Sequence, residues 1–146
     1  MQDPRELYSV EEDVWATLAG SRPTLVHLFD GYVDAGQVGK QISEHILSGM
    51  NPELLVTFDH DQLHDYRSRR PAMVFDTNTW TGLTDYELAI HKVTDPTGHV
   101  FLLLSGPEPD TQWNRACAAI LGIVEDLDVP LLVTAQGVPM GVPHTR

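Results

Sequence analysis

The run Thr24-Leu25-Val26-His27-Leu28-Phe29 is nearly continuous in apolar character rather than alternating. A strand with one solvated face alternates, so a run of this kind marks a strand covered on both faces, as the central parallel strands of α/β sheets are. Asp30-Gly31 ends it. Asp34 then offers a cap to a helix whose apolar Val38, Ile42 and Ile46 recur at four-residue spacing, and Gly49 with Pro52 marks the stop. Leu54 to Phe58 returns as a second strand. Strand, helix, strand is a βαβ unit, which predicts two parallel strands joined by a right-handed crossover.

The rest of the chain extends this frame. Ser9-Val10-Glu11-Glu12 has the form of a capping box and predicts a short helix that buries Val14, Trp15 and Leu18 and ends at Gly20. Ala72 to Phe75 reads as a third strand. Asp85 to Val93 alternates, and the turn sequence Asp95-Pro96-Thr97-Gly98 predicts a hairpin into the apolar run from His99 to Ser105. A helix beginning near Asp110 or Thr111 sets Trp113, Ala116, Cys117, Ile120 and Val124 on one stripe, and Leu131 to Val133 supplies a last strand. The class is α/β with a mixed, mainly parallel sheet. At 146 residues and 42% hydrophobic content the chain is the size of one domain with an ordinary core. Gln136 to Arg146 is a loop sequence with no closing helix. Cover for the last strand is therefore expected from elsewhere in the chain, from a partner, or from the continuation of a longer chain.

Nine Lys and Arg against twenty-one Asp and Glu leave a formal charge of −12. Such a surface repels a phosphate backbone and anionic lipid, so neither nucleic acid nor a membrane is expected as a partner. No run is long or apolar enough for a bilayer span or a signal peptide, and a cytoplasmic protein is expected. Cys117, the single cysteine, can form no internal disulfide and is expected to pack within its helical stripe.

Three predicted strands end in Phe-Asp: Phe29-Asp30, Phe58-Asp59 and Phe75-Asp76. In a parallel sheet such ends share one edge, where ligands of open α/β sheets bind. Asp30, Asp34, Asp59, Asp76 and Ser105, with Glu108, are thus the candidates for a catalytic or binding rim. The competing reading has each aspartate accepting hydrogen bonds from turn amides or capping a helix. Gly31, Gly36 and Gly39 match neither the dinucleotide fingerprint nor the P-loop, and no cofactor is expected. His60 and His64, four residues apart, would share a helical face and could hold zinc with Asp59 or Asp65, or stand solvated in a charged connection. Arg67, Arg69 and Arg70 suit carboxylates of neighbouring loops or of another subunit. No Gly-x-Ser-x-Gly elbow occurs, and spacing alone assigns Ser105 no histidine. His27, inside a buried-type strand, is expected to be a satisfied core group rather than a catalyst.

Four stretches, LFDGYVDAGQVG, FDHDQLHDYRSRRP, LLLSGPEPDTQW and LLVTAQGVPMGVPHTR, occur in this order. Together they resemble the PAC2 family, named for a proteasome assembly chaperone, and look most like its actinobacterial members. The resemblance spans nearly the whole chain. It implies a phosphorylase/hydrolase-like three-layer α/β/α fold, self-association, and a chain that continues past GVPHTR, so that residues 1–146 would be the N-terminal part of a longer member. Eukaryotic and archaeal members assist proteasome assembly, commonly through a hydrophobic-Tyr-any-residue tail, a form that His144-Thr145-Arg146 lacks. The family brings no agreed catalytic residues. The resemblance leads to a non-enzymatic, homo-oligomeric protein acting through protein contacts, with proteasome subunits among the candidate partners and Tyr66, Arg67, Arg69 and Arg70 in the contact surface. The alternative is a small-molecule binder or a hydrolase- or ligase-like enzyme with its cleft at the strand-end rim.

Overall fold

In the computed structural model, which describes residues 2–83 and 86–141, the apolar runs form the middle of a sheet and the polar punctuation forms its turns. The chain runs β1 (Tyr8–Val10), α1 (Glu12–Ala16), β2 (Thr24–Asp30), α2 (Val38–Gly49), β3 (Asn51–Phe58), α3 (His60–Leu63), β4 (Met73–Asp76), β5 (Thr79–Leu83), β6 (Ala89–Thr94), β7 (Val100–Pro107), α4 (Trp113–Asp126) and β8 (Leu132–Thr134). Six strands join in the order β1-β3-β6-β7-β2-β8. β2 pairs in parallel with β7 and β8, while β6 runs antiparallel to both β7 and β3, and β1 antiparallel to β3. Four strands, β2, β3, β7 and β8, therefore point the same way in a mixed sheet. β2 and β3 are parallel as the βαβ pattern predicts, with β7 and β6 between them.

Period-two alternation gives the two faces of β2 to two different layers. Val26 and Leu28 meet Ile42, Ile46 and Leu47 of α2, together with Val93 and Leu103. Leu25 and Phe29 meet the opposite layer, where Ala116, Ala119 and Ile123 of α4 cover Leu55, Leu102 and Leu104. The result is a three-layer α/β/α arrangement. The hairpin between β6 and β7 forms as predicted: Asp95 Oδ1 accepts from the amides of Thr97 and His99 at 2.8 and 2.9 Å, and Gly98 takes a φ of 89°. Among the described residues no helix is long and apolar enough to cross a membrane.

Four sequence expectations are corrected. Ser9 is not a cap: it lies in β1 opposite Thr57, and α1 begins behind Glu11 with no side-chain cap bond. Pairing wins because β3 otherwise has a bare edge, and the Glu11 amide extends that ladder to the Leu55 carbonyl at 2.9 Å. The strand from Ala72 to Phe75 does not enter the sheet; β4 and β5 form a separate antiparallel ribbon, exposed at every residue. α4 also turns a different face inward. Arg115, Ala116, Ala119 and Ile123 are buried while Trp113 is 45% exposed. Finally, Cys117 is exposed rather than packed, because α4 is apolar nearly all round and its inner face is set by what Arg115 binds.

Candidate functional site

The neighbouring parallel strands β2 and β7 send their following connections to opposite faces of the sheet, one to α2 and the other to α4. A crevice outside the carboxyl ends of such a pair is the place where open α/β sheets hold ligands. The two loops grip each other there. The Glu108 amide donates to the Asp30 carbonyl at 3.2 Å, and the Tyr32 amide donates to Glu108 Oε2 at 3.3 Å. Gly31 permits this approach, since a Cβ there would stand 2.7 Å from Glu108 Oε2.

Of the predicted rim residues, Asp34 and Asp59 are used by the backbone. Asp34 Oδ2 accepts from the Gly39 amide and Oδ1 from the Gly137 amide, both at 2.9 Å. The Gly137 bond, followed by those in the first turn of α2, holds its carboxyl below the usual range. Asp34 thus clasps the start of α2 to the segment after β8, and the Ala35 amide closes the clasp on the Gly137 carbonyl at 2.8 Å. Asp59 caps α3, accepting from the Asp61 amide at 3.0 Å and from Gln62 Nε2 at 2.7 Å. Asp76 does not reach this rim through the sheet: it ends β4 in the ribbon, where Thr77 Oγ1 donates to it at 3.1 Å.

His60 and His64 form a relay. The Leu88 amide, which can only donate, meets His60 Nε2 at 3.1 Å; the two Nδ1 atoms stand 3.3 Å apart; His64 Nε2 meets the Pro107 carbonyl at 3.3 Å. His60 Nε2 therefore accepts, His60 Nδ1 carries its proton toward His64 Nδ1, and His64 Nε2–H donates to Pro107. Both free lone pairs are occupied, so a metal ion would have to break the relay. Among the described residues no three His, Cys, Asp or Glu side chains cluster as a metal site.

The arginine segment divides. Arg69 is held, with Nε 3.2 Å from Asp110 Oδ1 and Nη1 3.4 Å from the Asp30 carbonyl. Tyr66 is engaged through its hydroxyl with Asp61 Oδ1 at 3.0 Å. Arg67 and Arg70 are exposed; Arg67 lies 3.7 Å from Asp65 at the surface, and the Arg70 carbonyl accepts from the Tyr86 hydroxyl at 3.1 Å.

Two cavities flank the carboxyl ends of β2 and β7. On the α4 face, His27, Phe29, Tyr32, Glu108, Thr134 and Gln136 line about 310 Å³. His27 is not the satisfied core group expected: its Nε2 is buried without a partner among the described residues, and burial holds its pKa below the ordinary value against the opposing pull of Glu108. On the α2 face, Asp30, Lys40, Glu44, Glu87, His91 and Ser105 line about 320 Å³. Ser105 faces Ala89 and His91 faces Leu103, so His91 is the diagonal same-face neighbour of Ser105. Sequence reasoning could not pair them because the register of β6 on β7 is not written in either segment. His91 Nδ1 is buried and without a partner among the described residues. It therefore lacks the orienting acceptor that makes a histidine the base for a serine nucleophile. The geometry suits binding better than acyl transfer.

Known structures share this framework. A Corynebacterium glutamicum protein of unknown function is 38% identical, with a TM-score of 0.87 over 96% of this chain and 53% of its own. A Mycobacterium tuberculosis protein of unknown function is 37% identical, with a TM-score of 0.86 over 96% of this chain and 48% of its own. A M. tuberculosis proteasome-assembly chaperone homologue shares the fold at 24% identity and a TM-score of 0.73, over 84% of this chain and 52% of its own. The chain spans about half the length of these relatives. No curated protein matches it. Residues 28–146 match the PAC2 family, which takes in the rim, the relay, the ribbon and the lining of both cavities except His27, and the chain belongs to that family.

Proposed function

We propose that the protein works through protein contacts rather than catalysis, as a self-associating factor of the assembly-chaperone kind. The observation that carries this reading is the ribbon of β4 and β5. Met73, Val74, Phe75, Trp80 and Leu83 are each more than half exposed, Trp80 to 63%. The Phe75 and Trp80 rings meet at a tilt of 57° with their centres 4.9 Å apart. A lone two-stranded ribbon is marginal in water, and contiguous exposed apolar residues mark contact sites. The edge strand β8 adds Leu132 and Val133, both partly open to solvent. Arg67 and Arg70 stand just before the ribbon on a chain of charge −12. Their charges favour an acidic partner, and a second copy of this chain is one. The chaperone homologue from M. tuberculosis supports a proteasome subunit as the first other partner to try, and on this reading the protein acts in the cytoplasm.

The test is light scattering together with native pull-down against proteasome subunits, comparing the parent chain with Trp80→Asp. An oligomer or a captured subunit that weakens about tenfold or more in the variant is expected, since exposed aromatic anchors dominate such contacts. A monomer that captures no subunit, or contacts indifferent to Trp80→Asp, would sink the reading.

A further inference from the structure

The cavity on the α2 face holds charges of both signs that do not neutralise one another. Lys40 rises from the first turn of α2, Glu44 stands one turn later, and Asp30 closes β2; all three line the cavity above Leu28, Ser105 and His91. Among the described residues none of these three side chains is in an ion pair or a hydrogen bond. Elsewhere on the chain opposite charges do close, as Lys92 does with Glu53 at 2.9 Å. The ammonium and the two carboxylates, with Asp30 and Glu44 at the solvent-exposed mouth, thus border the same space without a partner among the described residues.

Three kinds of small ion can be weighed against this lining. A simple anion would be drawn to Lys40 but would meet Asp30, Glu44 and Glu87. A simple amine would satisfy the carboxylates and leave Lys40 opposite a like charge. A molecule carrying both charges satisfies both sides. The floor offers a hydroxyl at Ser105, which is only 6% exposed, and an apolar wall at Leu28 and Leu47. A volume of about 320 Å³ stands at the small end of ligand pockets. We propose that this cavity binds a small zwitterion, an α-amino acid in its ammonium carboxylate form, with Lys40 and the Ser105 hydroxyl taking the carboxylate and Asp30 with Glu44 taking the ammonium. The site shares no residue with the ribbon, so it stands or falls independently of the protein-contact reading.

Titration calorimetry and amide chemical-shift mapping on the 146-residue chain test it, with glycine, alanine, serine and glutamate as probes. Alanine amide and N-acetylalanine serve as the two half-ligands. The expected result is binding of free amino acids, weakened about tenfold or more when either ligand charge is removed, and weakened similarly by Lys40→Met or Asp30→Asn. Shifts should centre on Lys40, Ser43 and Ser105. Neither substitution touches a buried partner, and an unchanged circular dichroism spectrum confirms folding. The proposal is overturned if no amino acid binds at millimolar concentration, if either half-ligand binds as well as the whole, or if both variants bind like the parent.

Discussion

His60 Nδ1 stands 3.3 Å from His64 Nδ1, and the Leu88 amide at one end of the pair and the Pro107 carbonyl at the other fix which nitrogen of each ring carries the proton. Through it the amide entering β6 and the carbonyl ending β7 are joined by way of α3. The motif FDHDQLHDYRSRRP is therefore a brace for the rim. The Leu63 carbonyl strengthens it by accepting from the amides of Asp110 and Thr111 at 2.8 and 3.1 Å.

His64→Ala should be among the costly substitutions. The side chain is 5% exposed, and its loss leaves the Pro107 carbonyl without this donor, His60 Nδ1 without this acceptor, and a void between them. A loss of about 2–4 kcal/mol in urea unfolding is expected. His64→Gln, whose amide can still reach Pro107, should recover part of it. A His64→Ala chain with the parent midpoint would remove the relay from the list of what holds the rim.

Arg115 is the second brace. Its guanidinium is 4% exposed and spends its donors on the Asp3 carbonyl at 3.0 and 2.8 Å, on Gln2, Gln62 and Gln112 amide oxygens, and on Glu6 at 3.2 Å. Arg115→Ala should cost about 2–4 kcal/mol, because acceptors on three segments lose one shared buried donor group and the truncated side chain leaves a void. Arg115→Lys should recover little, since an ammonium has three donors and no fork. Limited proteolysis should then cut the N-terminal segment near Leu7 faster. A parent-like digestion pattern would contradict this role.

These two braces also show what the sequence does and does not carry. β2, α2, β3 and the β6–β7 hairpin are legible because their patterns are local: apolar on both alternations, four-residue spacing, and an Asp-Pro-Thr-Gly turn. The ribbon is not, because its turn places Thr77 at a φ of 56°, a conformation that β-branched residues rarely announce. The inner face of α4 is hidden by apolar residues on every side. Asp34 and Asp59 prove to be turn and cap acceptors, as the plainer of their two readings had it. Asp30 and Ser105 do share one cavity, but Lys40, Glu44 and His91 join them only through sheet register and helix docking. Those are tertiary facts that no spacing encodes.

Gly106 is a place where no side chain fits. Its φ is 130°, and a Cβ there would overlap the Glu87 carbonyl and stand 2.7 Å from the Leu88 Cα. Gly106→Ala should destabilise by about 3 kcal/mol or more, combining backbone strain with overpacking. Because Leu88 donates to His60, its amide should exchange faster with solvent in the variant. Unchanged Leu88 protection would mean that β6 and β7 absorb the methyl without disturbing the relay.

Acid should act on stability in two separate windows. Burial holds His27 and His91 below the ordinary imidazole value of 6.5, with Glu108 and Glu87 opposing the shift only in part. Above 6.5 both rings are neutral folded and unfolded, and stability is full. As pH falls below that value the unfolded chain takes up protons that the folded chain refuses, so stability declines toward the depressed folded values. Asp34 and Asp95 act lower. The Gly137 amide and the Thr97 hydroxyl, respectively, hold their carboxyls below 3.8, so their contribution is present above that pH and is lost as pH falls through the depressed values. The urea midpoint should therefore decline as pH falls below 6.5 and fall again as pH drops below 3.8. Combining His27→Gln with His91→Gln should flatten the upper decline and leave the lower one in place. If the upper decline survives in that double variant, the protons are being taken up by other histidines, and the two buried rings are not what makes the fold acid-sensitive.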